Sequence, residues 1–209
     1  RDLVRSRGLG DVYKRQTPGM AANPGDKIYY NNRGKAIALA VVGKKPLREG
    51  ANICAAHVDS PRMDIKPNPL YEDTEIAYLK THYYGGIKKY QWPTVPLAIH
   101  GVVYRKDGAV VTITIGEDDN DPVLMVSDLL IHLAGDQMQK TASKVIEGEQ
   151  LNVIMGTEPL EGEGSDLVKL HIMQLLNEKY GIIESDFLSA ELTMVPAGKC
   201  REVGLDRSL

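Results

Sequence analysis

The stretch Asn52–Lys66, N-I-C-A-A-H-V-D-S-P-R-M-D-I-K, constrains the fold of this chain more than any other. Ile53–Ala56 is a short run of small apolar residues that delivers His57 and Asp59 and stops at Ser60-Pro61. An apolar run of this length closed by a proline predicts a buried strand. Polar groups at the end of such a strand lie where open α/β sheets form their clefts. His57 and Asp59 are two residues apart, so on a strand they share a face. Asp59 can then accept the ring N–H of His57 and leave the other nitrogen for a metal. A core histidine satisfied by a nearby carboxylate fits the same local pattern. Cys54 and His57 as a nucleophile pair do not, because strand residues three apart point to opposite faces. Cys54 reads as a small core residue.

Upstream, Arg1–Gln16 is unlike the rest of the chain. D-V-Y-K-R-Q back-translates with suitable codons to GATGTGTATAAGAGACAG, which closely resembles a transposase end used in preparing DNA libraries. Residues 1–16 are therefore expected to be a translated adapter, outside the natural protein, and are set aside from the fold. From Lys27 the pattern is β. K-I-Y-Y-N and Ala36–Val42 are strands joined by the turn Asn31–Gly34, a predicted hairpin. Their small apolar residues predict burial on both faces, as in a sheet covered by helices.

Beyond Pro61, M-D-I-K alternates until Pro67 and Pro69 break it, and Glu75–Lys80 is a further short strand. Gly85-Gly86 reads as a turn. Pro96–Tyr104 and Ala109–Ile115 form a hairpin around Asp107-Gly108. Glu117–Asp121 is a solvated turn, since it lacks the spaced glycine and distal glutamate of an EF-hand. Val123–Val126 is a strand, and S-D-L-L-I-H-L-A follows as a helix capped by Ser127 or Asp128. Thr141–Gly148 is loop, and Leu151–Met155 is another strand. Ser165–Gly181 is the clearest helix. Ser165 caps it, Leu167, Leu170, Met173 and Leu176 form its core stripe, and Gly181 stops it. Glu191–Val195 is the last strand.

The 209 residues are 43% hydrophobic and 25% charged, ordinary for a globular protein. A net charge of −3 gives no electrostatic case for nucleic acid or an anionic membrane. No apolar run approaches the roughly 20 residues of a membrane span. Two cysteines do not make a disulfide framework and suit a reducing compartment, so a cytoplasmic location is expected.

H-V-D-S-P-R, then K-P-N-P-L-Y-E-D, then Y-Y-G-G-I, resemble the aspartyl aminopeptidase / aminopeptidase I family of zinc metallopeptidases. The resemblance continues through D-L-L-I-H-L (Asp128–Leu133) and A-E-L-T-M-V-P-A-G (Ala190–Gly198), and covers about Pro24 to Leu209. It implies an α/β fold: part of a zinc-peptidase sheet domain, interrupted by an inserted β-rich dimerisation domain. The implied limits are 17–66 for the first part of the catalytic domain, 67–189 for the insert and 190–209 for the return. It implies an aminopeptidase that removes N-terminal residues from peptide substrates with two zinc ions activating the attacking water. Such metals stand roughly 3.5–4 Å apart. The family assembles as homo-oligomers, with dimers building larger assemblies.

Residue by residue, His57 matches a zinc ligand and Asp59 the carboxylate that orients it. His132 matches a histidine of the insert that reaches a neighbouring subunit's site and helps bind substrate. His82, His100 and His171 match nothing functional. The family's metal-bridging aspartate, its Glu-Glu pair and a later aspartate and histidine are expected beyond Leu209, and Asp206 is not assigned as the bridge. This polypeptide is accordingly expected to be inactive alone. A non-catalytic dimerisation or assembly module is the alternative. Preference for acidic or neutral N-terminal residues is not legible, and Lys88 and Lys89 read as solvated.

Overall fold

A computed structural model of the chain describes residues 13–58, 60–199 and 201–208. The chain divides into two compact units, Arg1–Val58 and Asp59–Leu209.

In the first unit, β2 (Lys27–Asn32) and β3 (Ala36–Val41) form the predicted antiparallel hairpin. Asn31 Oδ1 accepts the Gly34 N–H at 2.8 Å and closes the turn. β1 (Lys14–Arg15) pairs in parallel with β2. The segment set aside as an adapter thus contributes two paired residues. Burial on both faces does not hold: β3 is mostly exposed, with Val41 62% accessible. The described residues of this unit include no α-helix to cover either face.

The second unit is a six-stranded antiparallel sheet in the order β7-β6-β9-β4-β5-β8. Its strands are β4 (Arg62–Asp73), β5 (Ile76–Tyr84), β6 (Leu97–Tyr104), β7 (Val110–Ile115), β8 (Val153–Gly156) and β9 (Ala190–Pro196). Pro67 and Pro69 do not end β4 as expected. Each lacks an N–H for the ladder. The strand answers with a register shift between Ile65 and Leu70, so that Lys66–Pro69 bulge opposite Lys80. Lys66 Nζ reaches Glu149 at 2.9 Å, and this bond holds the Glu149 carboxyl below its ordinary range.

Val123–Val126 is not a ladder strand. It makes single bridges, Leu97 with Leu124, Pro93 with Val126 and Met125 with Ile154. These bridges link β8 back to the start of β6, so the sheet curls on itself. Met63, Leu79, Leu97, Val153 and Met194 are fully buried in the resulting core. Each such side chain contributes about 1.5–3 kcal/mol relative to exposure.

Two helices accompany the sheet: α1 (Gly135–Met138), a single turn, and α2 (Leu167–Tyr180). α2 buries Val168, Ile172 and Leu176, a ridge of period four. Of the predicted stripe Leu176 is buried, Leu167 and Met173 are half-buried and Leu170 is exposed; Val168 and Ile172 are the apolar neighbours that complete the face. The helix comes close to β8 here: a Cβ on Gly156 would stand 2.8 Å from Ile172 Cδ1, and the end of that side chain would have to shift. Gly181 stops the helix in the left-handed conformation, as predicted. Ser165 does not cap it. The N-cap is Asp166, without a side-chain cap bond, and the N–H of Lys169 donates instead to Glu72 Oε2 of β4 at 2.9 Å.

Candidate functional site

His57 lies in residues 51–58, which are irregular and exposed rather than a buried strand. Ile53 is 85% accessible. A strand needs a partner for its N–H and C=O groups, and no ladder partner for this segment is found among the described residues. The apolar side chains that predicted burial are left exposed among the described residues. Cys54 is an exposed free thiol, not the small core residue expected. Asp59, assigned as the carboxylate that orients His57, lies outside the described residues.

His132 belongs to the second unit. The chain leaves the core at Val126, which is 2% exposed, and returns at the buried Ile146 and Leu151. Between them no continuous helix forms. Ile131–Leu133 is a 3₁₀ turn and α1 follows after Ala134, the buried residue that anchors the excursion. The helix predicted over 127–134 fails because its apolar residues do not fall on one face. Leu129, Leu130, Ile131 and Leu133 surround the axis, and all are exposed. Asp128 does not cap a helix. Its Oδ1 accepts the N–H of Leu129 at 2.8 Å and the Nε2 amide of Gln137 at 2.9 Å. His132 stands on this exposed turn. Beside it runs an open groove of about 420 Å³, lined by Val126, Leu129, Leu133, Val145 and Ile146 with Lys140 at its side.

The remaining histidines have structural partners. His100 Nε2 lies 2.9 Å from Glu117 Oε1, His171 Nδ1 lies 2.8 Å from the carbonyl oxygen of Glu158, and His82 stacks on Tyr83. Lys89 Nζ stands 5.7 Å from the centre of the Tyr83 ring. Sequence reasoning missed Asp128 as a tether and Glu72 as a helix cap. The first was hidden by a helical reading of its neighbours. The second acts on a residue far along the chain.

Among the described residues no group of three His, Cys, Asp or Glu side chains is placed to hold a metal ion. The described residues do not by themselves make up a zinc centre. No helix among them is long and apolar enough to cross a membrane.

Residues 8–209 match the family described as aminopeptidase I zinc metalloprotease (M18). The match begins inside the segment 1–16. The chain is 60% identical over 204 residues to a probable M18 family aminopeptidase 1 of Clostridium acetobutylicum, covering 97% of this chain and 43% of that protein. A crystal structure of an M18 aminopeptidase from Thermotoga maritima superposes with a TM-score of 0.84 at 49% identity, over 93% of this chain and 43% of that one. The crystal structure of aminopeptidase I from Clostridium acetobutylicum gives 0.80 at 60% identity, over 89% and 41%. The chain spans less than half the length of the relatives it matches. It has the mixed α/β fold of these proteins and belongs to the M18 family of aminopeptidase I zinc metalloproteases.

Proposed function

We propose that this segment is part of a zinc-dependent aminopeptidase that releases N-terminal residues from peptides, and that the 209-residue polypeptide alone does not perform the reaction. Membership of a zinc metalloprotease family supports the first statement. The second rests on one observation: the described residues bring no metal-holding group together. In the longer protein two zinc ions would supply an activated water and stabilise the oxyanion. This chain would contribute His57 as one ligand, Asp59 as the residue orienting it, and His132 as a substrate-binding group. His132 would serve a neighbouring subunit of a homo-oligomer, and its place on an exposed turn of the second unit supports that role. Residues 17–66 and 190–209 are proposed to belong to the catalytic domain, and 67–189 to the dimerisation insert. The exposed Cys54 thiol suits a reducing cytoplasm.

Hydrolysis of aminoacyl anilides tests the proposal. The full-length protein should act with zinc and lose activity on chelation. His57→Ala should lower kcat/KM by at least about 100-fold, as loss of a metal ligand implies. The 209-residue chain should show no hydrolysis. Turnover by that chain with adventitious metal excluded would refute its inactivity. A zinc-loaded full-length protein without activity would favour the assembly module. The closed core of the second unit is the observation on that side.

A further inference from the structure

The turn that carries His132 has an unusual surface. Leu129, Leu130, Ile131 and Leu133 are 54%, 71%, 66% and 71% exposed. An open groove lies directly beside them, with Val126, Val145 and Ile146 on one side and Asp136, Gln137, Lys140 and Gln150 on the other. Removal of apolar surface from water is the main drive to compaction. An untethered segment of this composition would have no fixed path and would leave His132 without a fixed place. The 3₁₀ turn Ile131–Leu133 and the single turn of α1 are too short to hold themselves.

The tether is one carboxylate. Asp128 Oδ1 accepts from the Leu129 N–H and from Gln137 Nε2. It therefore joins the residue entering the turn to the helical turn leaving it, with His132 between. Bonds to an ionised acceptor are stronger than those between neutral groups. We infer that Asp128 is a positioning residue: with Gln137 it pins the two ends of the turn together and keeps the His132 imidazole presented to peptide substrate. The inference rests on the substrate-binding role proposed for His132. Asp128 itself touches no reacting atom and acts through that imidazole.

Two measurements test it. Hydrogen exchange on the 209-residue chain reads the tether. Asp128→Ala should speed exchange of the 131–138 amides about 10- to 100-fold, the loss expected for bonds to a charged acceptor. The amides of β6 and β9 should not change. Asp128→Asn keeps an Oδ1 acceptor and should restore protection. Kinetics of the full-length protein read the consequence. Asp128→Ala and His132→Ala should lower kcat/KM with the same division between kcat and KM. The double variant should be no worse than His132→Ala alone, because the first residue works through the second. Should Asp128→Ala fail to fold, Gln137→Leu removes one of the two bonds and must show the same non-additivity. Full additivity, or an unchanged kcat/KM for Asp128→Ala where His132→Ala lowers it, would overturn the positioning role. Full activity of His132→Ala would overturn the role of the histidine and the inference together. That result is told apart from failure of the tether because exchange at 131–138 still rises in Asp128→Ala.

Discussion

Thr74 and Glu75 form the tip of the β4–β5 hairpin, between the paired residues Asp73 and Ile76, and both are left-handed, with φ of 49° and 60°. Two successive left-handed residues make a type I′ turn, which matches strand twist and normally carries Asn-Gly. Neither residue suits it. The β-branched threonine in particular meets its own carbonyl there, at a cost of about 1–2 kcal/mol. D-T-E-I carries no turn signal, so the strand after Glu75 is legible in the sequence and the hairpin is not. By contrast Gly34 and Gly108 announce their turns: both are left-handed, with φ of 72° and 84°, and glycine suits that backbone. The double substitution Thr74→Asn, Glu75→Gly should raise the stability of the second unit by about 1–2 kcal/mol. The measure is the urea midpoint at unchanged m value. A midpoint that stays or falls means the left-handed pair is not strained.

The helix α2 shows what a local pattern can and cannot carry. Its length and its Gly181 stop follow from composition and from one residue's conformational freedom, and both are read correctly. Its buried face packs into the core of the sheet, with Ile172 against Gly156 on β8, and its cap comes from Glu72 on β4. Neither is near in sequence. Ser165 is a good N-cap residue type, yet its Oγ lies 3.4 Å from Asp166 Oδ2 and makes no bond to the helix N–H groups. A carboxylate at this end satisfies an orphan donor and complements the helix dipole. Lys169 strengthens the junction through its Nζ, 2.7 Å from Glu184. Glu72→Ala should therefore destabilise the second unit by about 1–2 kcal/mol. Ser165→Ala should change it by less than about 0.5 kcal/mol. Chemical denaturation of the two variants side by side decides between the caps, and a larger loss for Ser165→Ala would restore the local reading.

At the scale of the whole chain, the sequence shows Glu191–Val195 as a strand but says nothing of its neighbours, since pairing is a property of distant segments. The structure places β9 between β6 and β4, with Leu97–Val103 on one side and Met63-Asp64 on the other. The β6–β7 and β4–β5 hairpins are not neighbours in the sheet; β9 joins them. Its Leu192 and Met194 are buried in the shared core. The single bridges of Leu124–Val126 are too few to replace that ladder. Among the described residues, the strands of the first unit form a sheet of their own. Two truncations follow from this arrangement. A chain of residues 59–209 should retain a cooperative unfolding transition at the midpoint of the full chain's main transition. A chain of residues 1–189 should lose it, because the β6–β7 hairpin and the β4–β5–β8 sheet then share no strand and the core loses Leu192 and Met194. Circular dichroism across a urea series measures both. Cooperative unfolding of the 1–189 chain would mean that the bridges through Leu124–Val126, rather than β9, hold the sheet together.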